Sequence, residues 1–192
     1  STISLCEAFG FDYIFIETVG VGQSEIMAKN MADCFILLLL PNSGDELQGI
    51  KRGIMEMADI LLISKSDKAN EVSARTAAAQ VKMALHLYSS TEKKWEIPVL
   101  NISATEGTGL DLTLNTLELY FLNIESSGWL QHNRAQQQLH WMEELILAYM
   151  QENLEQHPAL KELKKELTTQ VLEQTMEPQE AARRIVEKWL GK

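Results

Sequence analysis

The first two-thirds of the chain moves between two hydrophobic patterns. Short runs that are apolar at nearly every position predict buried strands, at Phe11 to Glu17, Asp33 to Pro41, Asp59 to Ser64 and Ile97 to Ser103. Between them lie stretches with helical spacing: Ser24 to Met31, Asp45 to Ala58, an Ala-rich Asn70 to Tyr88, and Leu110 to Ile124. Ser1 to Gly10 reads as the tail of a further helix, with Gly10 as its stop. Strands apolar on both faces, alternating with helices, predict a parallel sheet with right-handed crossovers, covered on both sides.

After Gly128 the strand pattern ends. Leu139, Met142, Ile146, Tyr149 or Met150, and Leu154 recur at helical spacing from Trp129 onward. Pro158 opens a second helix, with Leu160, Leu163, Leu167 and Val171 on one face. Pro178 opens a third, with Ala181, Ile185 and Trp189 aligned. The expected organisation is an α/β domain over residues 1–125 and an all-α arm over 126–192. Long one-sided helices must bury that face, so self-association of the arm is expected.

Composition narrows the function classes. The 192 residues carry 27 acids and 17 bases, a formal charge of -10. That argues against nucleic-acid or anionic-membrane partners, which need clustered Lys and Arg. Two cysteines, Cys6 and Cys34, make neither a disulfide framework nor a CxxC site, so a reducing cytoplasmic setting is expected. The longest apolar run, Cys34 to Pro41, is too short to span a bilayer, and no leader pattern opens the chain. The four histidines, His86, His132, His140 and His157, show no zinc-ligand spacing.

Three stretches carry chemistry. In the first, a strand run ends in Glu17 and is followed by Thr18-Val19-Gly20-Val21-Gly22. A nucleotide hydrolase presents a carboxylate this way, facing magnesium, usually through water. The glycines let backbone approach a terminal phosphate. In the second, Ser64-Lys65-Ser66-Asp67 follows a strand. Guanine-nucleotide hydrolases carry Asn-Lys-x-Asp at this place, where the Asp accepts two hydrogen bonds from guanine and the Lys stem covers the base. Here Ser64 stands where Asn is usual. In the third, Ser103-Ala104-Thr105-Glu106-Gly107-Thr108-Gly109 follows the last strand, and the Ser-Ala pair offers a backbone N–H to the guanine O6. Three loops after successive strands are expected to converge on one site. Gly44 to Lys51 is a decoy for a phosphate loop, since Ile50 occupies the lysine position and no Ser or Thr follows Lys51. No Gly-x4-Gly-Lys-[Ser/Thr] occurs anywhere in the sequence.

Glu17 to Glu25 and Ser43 to Gly53 together closely resemble the MeaB/ArgK GTPases, chaperones of adenosylcobalamin-dependent methylmalonyl-CoA mutase. The resemblance runs from the start of the chain to about Trp141, and the helical tail fits the family's dimerisation arm more loosely. It implies the fold of a P-loop NTPase G-domain, here without its first strands, so that the chain looks like the carboxyl-terminal portion of the protein. It implies GTP/GDP and magnesium as cofactors, a methylmalonyl-CoA mutase or related acyl-CoA mutase as partner, and a homodimer. By that resemblance Glu17, Gly20 and Gln23 are catalytic, with Glu17 on the magnesium side. Asp45, Gln48 and Lys51 belong to a second switch that couples to the mutase. Ser64, Lys65, Asp67, Ser103, Ala104 and Thr105 hold guanine.

Two rival readings stay open on the residues. One is a metal-insertion GTPase, which usually carries the His- or Cys-rich loops missing here. The other is a non-catalytic helical interaction module, which fits the missing phosphate loop. For the same reason the segment alone is expected to have no GTPase activity.

Overall fold

The structure is a computed structural model that describes residues 2–18, 23–41, 52–86 and 95–191. Two compact units divide between Gln137 and Gln138. The first holds α1 (Thr2–Ala8), α2 (Gln23–Met31), β1 (Ile36–Leu39), α3 (Arg52–Met57), β2 (Ile60–Ile63), α4 (Glu71–His86), β3 (Val99–Asn101), α5 (Leu110–Ser126) and the start of α6 (Trp129–Gln156). The described strands form a parallel sheet in the order β1-β2-β3. Ile36 pairs with Ile60, and Leu61 with Val99.

β2 lies at the centre, and Ile60, Leu61 and Ile63 have no exposed surface. Alternation sends its side chains to both faces. Leu61 and Ile63 pack with Ile54 before β2 and with Ala74, Ala77 and Val81 of α4. The alanines let α4 lie close on the sheet. Ile60 and Leu62 pack with Ile102 and Leu117 on the α5 side. This two-sided burial is what the apolar run at 59–64 predicts.

One expected strand is absent. Phe11 to Thr18 takes no strand pairing, so Glu17 does not end a strand of the sheet. Phe11, Tyr13 and Phe15 are largely exposed. An extended segment becomes a strand only when its N–H and C=O groups meet a neighbour. β1 pairs with β2, and no described strand lies along its other edge. β1 is also shorter than the apolar run. Its approach is diverted at Phe35, whose N–H donates to Asp59 Oδ2 at 2.8 Å. The helix expected from Asp45 is seen from Arg52, residues 42–51 lying outside the described part.

Beneath the sheet's amino end, the Tyr120 ring sits edge-on to Trp95 with centroids 5.2 Å apart. Its hydroxyl donates to the Asp33 carbonyl at 3.1 Å. Burial, and then the Asp59 carboxylate, push the phenol's pKa far above its ordinary value of 10.0. The folded state therefore keeps the phenol neutral where the unfolded chain ionises it. The stabilisation is complete below pH ~10 and is lost as pH rises past it, by about 1.4 kcal/mol per pH unit. Wild type should exceed Tyr120→Phe by ~1 kcal/mol near neutral pH, for the lost hydrogen bond. That advantage should vanish near pH ~11. Urea titrations of both proteins across this range check the sign, and a constant difference would contradict it.

The second unit contains the rest of α6 and a pair of helices, α7 (Pro158–Leu172) and α8 (Pro178–Trp189). Each of the pair begins at its proline, whose missing N–H is not needed in a first turn. Leu160, Leu167 and Ala181 are buried. Gln174 turns the chain between them at φ 56°. Arg183 and Arg184 both donate to Glu180 and hold its carboxyl below the usual carboxylate range. The α6 stripe stays open: Leu139, Met142, Ile146 and Tyr149 are each about half exposed.

Candidate functional site

Because β2 and β3 are parallel neighbours, the loops that leave their carboxyl ends start side by side. The β2 loop is Ser64-Lys65-Ser66-Asp67, and the β3 loop runs through Ser103, Ala104 and Thr105. The Ser66 N–H donates to the Ile102 carbonyl at 3.0 Å. The Ser103 hydroxyl, fully buried, donates to Asp67 Oδ1 at 3.1 Å. Ser103 Oγ in turn accepts the Glu106 N–H at 3.2 Å and lies 3.0 Å from Thr105 Oγ1. Ser103 thus restrains one carboxylate oxygen of Asp67. A carboxylate held this way can accept two adjacent N–H donors from the edge of a ring. Among the described residues no hydrogen bond from the Ala104 N–H is seen, so the β3 loop that carries Ser103 keeps a backbone donor available.

Lys65 sits at φ 53°, a left-handed conformation that costs a side-chain-bearing residue about 1–2 kcal/mol. Its two neighbours hold it there. Ser64 donates both its N–H, at 2.8 Å, and its hydroxyl, at 3.0 Å, to the Leu39 carbonyl. The Ser66 hydroxyl donates to the Ile63 carbonyl at 2.7 Å. Ser64 thus ties its loop to the end of β1. Sequence reasoning missed the strain, because no glycine signals it. Strain over-determined by its surroundings is common at binding sites.

Gly109 closes the β3 loop. The Ser103 N–H donates to the Thr108 carbonyl at 3.0 Å, and Gly109 then starts α5 at φ 77°. A Cβ on Gly109 would lie 2.2 Å from the Asn101 carbonyl oxygen, so the close approach admits only glycine.

Two of the three loops expected to converge therefore do so. Glu17 is exposed, and none of the hydrogen bonds between described residues joins it to Asp67 or Ser103. Gly20, Asp45, Gln48 and Lys51 lie outside the described residues. Gln23 is the first residue of α2, and its side chain is likewise outside them. For guanine the donor and acceptor set fits: the Asp67 carboxylate on the β2 loop and the Ala104 N–H on the neighbouring β3 loop, with Lys65 two residues before Asp67. No group of three His, Cys, Asp or Glu gathers among the described residues. No helix among them is long and apolar enough to cross a membrane.

A parallel sheet covered on both faces, with Lys-x-Asp and Ser-Ala loops tied together at its carboxyl edge, places the chain among P-loop GTPase folds. The crystal structure of an LAO/AO transport system kinase matches it with a TM-score of 0.74 and 32% identity, over 98% of this chain and 60% of that one. The family described as methylmalonyl Co-A mutase-associated GTPase MeaB matches residues 1–159, and the chain belongs to it. A probable GTPase of Mycobacterium tuberculosis is 39% identical over 97% of this chain and 55% of its own length. The mitochondrial methylmalonic aciduria type A homolog of Mus musculus is 42% identical over 94% of this chain and 43% of its own. GTPase ArgK of Escherichia coli is 41% identical over 72% of this chain and 42% of its own. The chain spans about half the length of the curated relatives it matches.

Proposed function

We propose that the full-length protein binds and hydrolyses GTP in the cytoplasm, and that it assists cofactor loading and protection of an adenosylcobalamin-dependent methylmalonyl-CoA mutase. The tie from Ser103 to Asp67 carries the nucleotide part, because it presents a rigid acceptor pair matched to the two donors of guanine. The mutase part rests on membership of the methylmalonyl Co-A mutase-associated GTPase MeaB family. Asp67 would accept from the base, Lys65 would cover its plane, and Ala104 would donate to its carbonyl. Ser64, Ser103 and Thr105 would hold these loops in place. Glu17, Gly20 and Gln23 would serve the phosphate side, with magnesium beside Glu17. Asp45, Gln48 and Lys51 would answer to the mutase. The sequence holds no Gly-x4-Gly-Lys-[Ser/Thr], so hydrolysis is assigned to the full-length protein rather than to this segment. The open α6 stripe through Leu139, Ile146 and Tyr149 would be the homodimer face.

The test is titration of the full-length protein with labelled GTP and ATP, with sedimentation velocity on the same preparation. Asp67→Ala should weaken GTP binding by about 2–4 kcal/mol, as for a lost charged hydrogen-bond partner. Equal wild-type affinity for the two nucleotides would sink the guanine assignment, and a monomer at all concentrations would sink the dimer face.

A further inference from the structure

Successive residues of the β2 loop are tied, one after another, to the β3 loop. The Ser66 N–H donates to the Ile102 carbonyl at 3.0 Å, and Asp67 Oδ1 accepts the Ser103 hydroxyl at 3.1 Å. The Lys68 N–H donates to Glu106 Oε1 at 3.4 Å. The first tie joins backbone to backbone where the strands end. The second carries the candidate base acceptor. The third lies beyond it, between two exposed residues.

Asp67 caps the short helical turn Lys68–Asn70, with extended backbone at φ -66° and ψ 165°. An aspartate in that place ordinarily turns its carboxylate onto the N–H groups of the first turn. Asp67 makes no such side-chain cap. Its carbonyl accepts the Asn70 N–H at 2.7 Å, while Oδ1 stays with Ser103. The Lys68 N–H, one of the orphan donors of that turn, goes to Glu106 instead. Glu106 is also bound through its backbone, its N–H donating to Ser103 Oγ at 3.2 Å. These bonds close a ring. The chain joins Asp67 to Lys68, Lys68 donates to Glu106, Glu106 donates to Ser103, and Ser103 donates back to Asp67.

We propose that Glu106 is a positioning residue for guanine recognition. Its carboxylate pins the β3 loop to the residue after Asp67, and so keeps the Asp67 carboxylate on Ser103 and available to a base. Without the pin, Asp67 can turn back onto the N–H groups of its own turn, where it is lost to the base. The proposal rests on the reading of Asp67 as the acceptor for guanine, and Glu106 acts through Asp67 rather than on the nucleotide. The tie is long and lies in solvent, so its loss changes affinity by a small factor. Its signature is that the factor depends on Asp67.

The experiment is equilibrium titration of the full-length protein with labelled GDP and ADP. The proteins are wild type, Glu106→Ala, Glu106→Gln, Asp67→Ala and the double variant Asp67→Ala/Glu106→Ala. Glu106→Ala should weaken GDP binding roughly three- to tenfold, the size of one net hydrogen bond. Glu106→Gln keeps an acceptor oxygen at the same reach and should recover most of that affinity. In the Asp67→Ala background the Glu106→Ala change should add less than about twofold, because no carboxylate is left to position. Unchanged GDP affinity in Glu106→Ala overturns the proposal. So does a glutamine variant as weak as the alanine one, or the same factor with and without Asp67, which is what a general loosening of the loop would give. If wild type binds GDP and ADP equally, or Asp67→Ala binds GDP as wild type does, the guanine reading itself fails and takes the proposal with it.

Discussion

Lys29→Met is expected to cost about 3–5 kcal/mol of folding stability, as for a broken buried ion pair. The methionine keeps most of the lysine's apolar stem, so lost packing contributes little. What is lost is the cation facing Asp59, which is 2% exposed and also accepts the Phe35 N–H. Desolvating a carboxylate without that cation is the expensive part. Asp59→Asn in the Lys29→Met background should recover most of the loss. The amide is neutral, has the same shape and still accepts from Phe35. The opposite order of single changes is milder, because Lys29, 18% exposed, can turn its ammonium to water. Urea unfolding of the two single variants and the double variant measures the cycle. A double variant no more stable than Lys29→Met would show that the penalty is not electrostatic.

Gly109→Ala should be nearly as damaging, on the order of 3–5 kcal/mol, as for a clash added to left-handed strain. The added Cβ would meet backbone, the Asn101 carbonyl oxygen at 2.2 Å, which has no side-chain rotamer to give way. Gly107→Ala is the control. It has a similar φ, 70°, with nothing within 4 Å of its Cβ, so only the left-handed cost of about 1 kcal/mol applies. The two changes should also separate in binding. Shifting Gly109 displaces the loop that positions Ser103 and therefore Asp67, so guanine preference should fall with stability. Equal effects of the two substitutions, measured by thermal unfolding and nucleotide titration, would remove the close approach as the reason for glycine.

Much of this was legible because burial leaves a direct mark on composition. The run Ile60 to Ile63 is apolar at every position, and it became the central strand. Pro158 and Pro178 mark the starts of two helices because proline fits only a first turn. The Ser64–Asp67 and Ser103–Thr105 loops were found from residue type and order, and the structure does bring them together. Phe11 to Glu17 was misread, because apolar content reports a wish for burial and not the presence of a strand beside it. The Lys29–Asp59 pair and the two-pronged contact of Arg134 with Asp33 were not legible at all. Their partners lie 30 and 101 residues apart, and each residue alone is an ordinary charge on a helix or loop. The left-handed Lys65 was hidden for a similar reason: its neighbours' hydrogen bonds impose it, and its own chemistry does not.

The strand order β1-β2-β3 is also the order of synthesis. When β2 leaves the ribosome its partner β1 has already been made, and β3 in turn finds β2 waiting. These three strands need no later insertion between existing neighbours, so they can join one at a time as the chain lengthens. Ile54, made just before β2, can cover one of its faces at once, while α4 and α5, which complete the cover on the two faces, follow later in the chain.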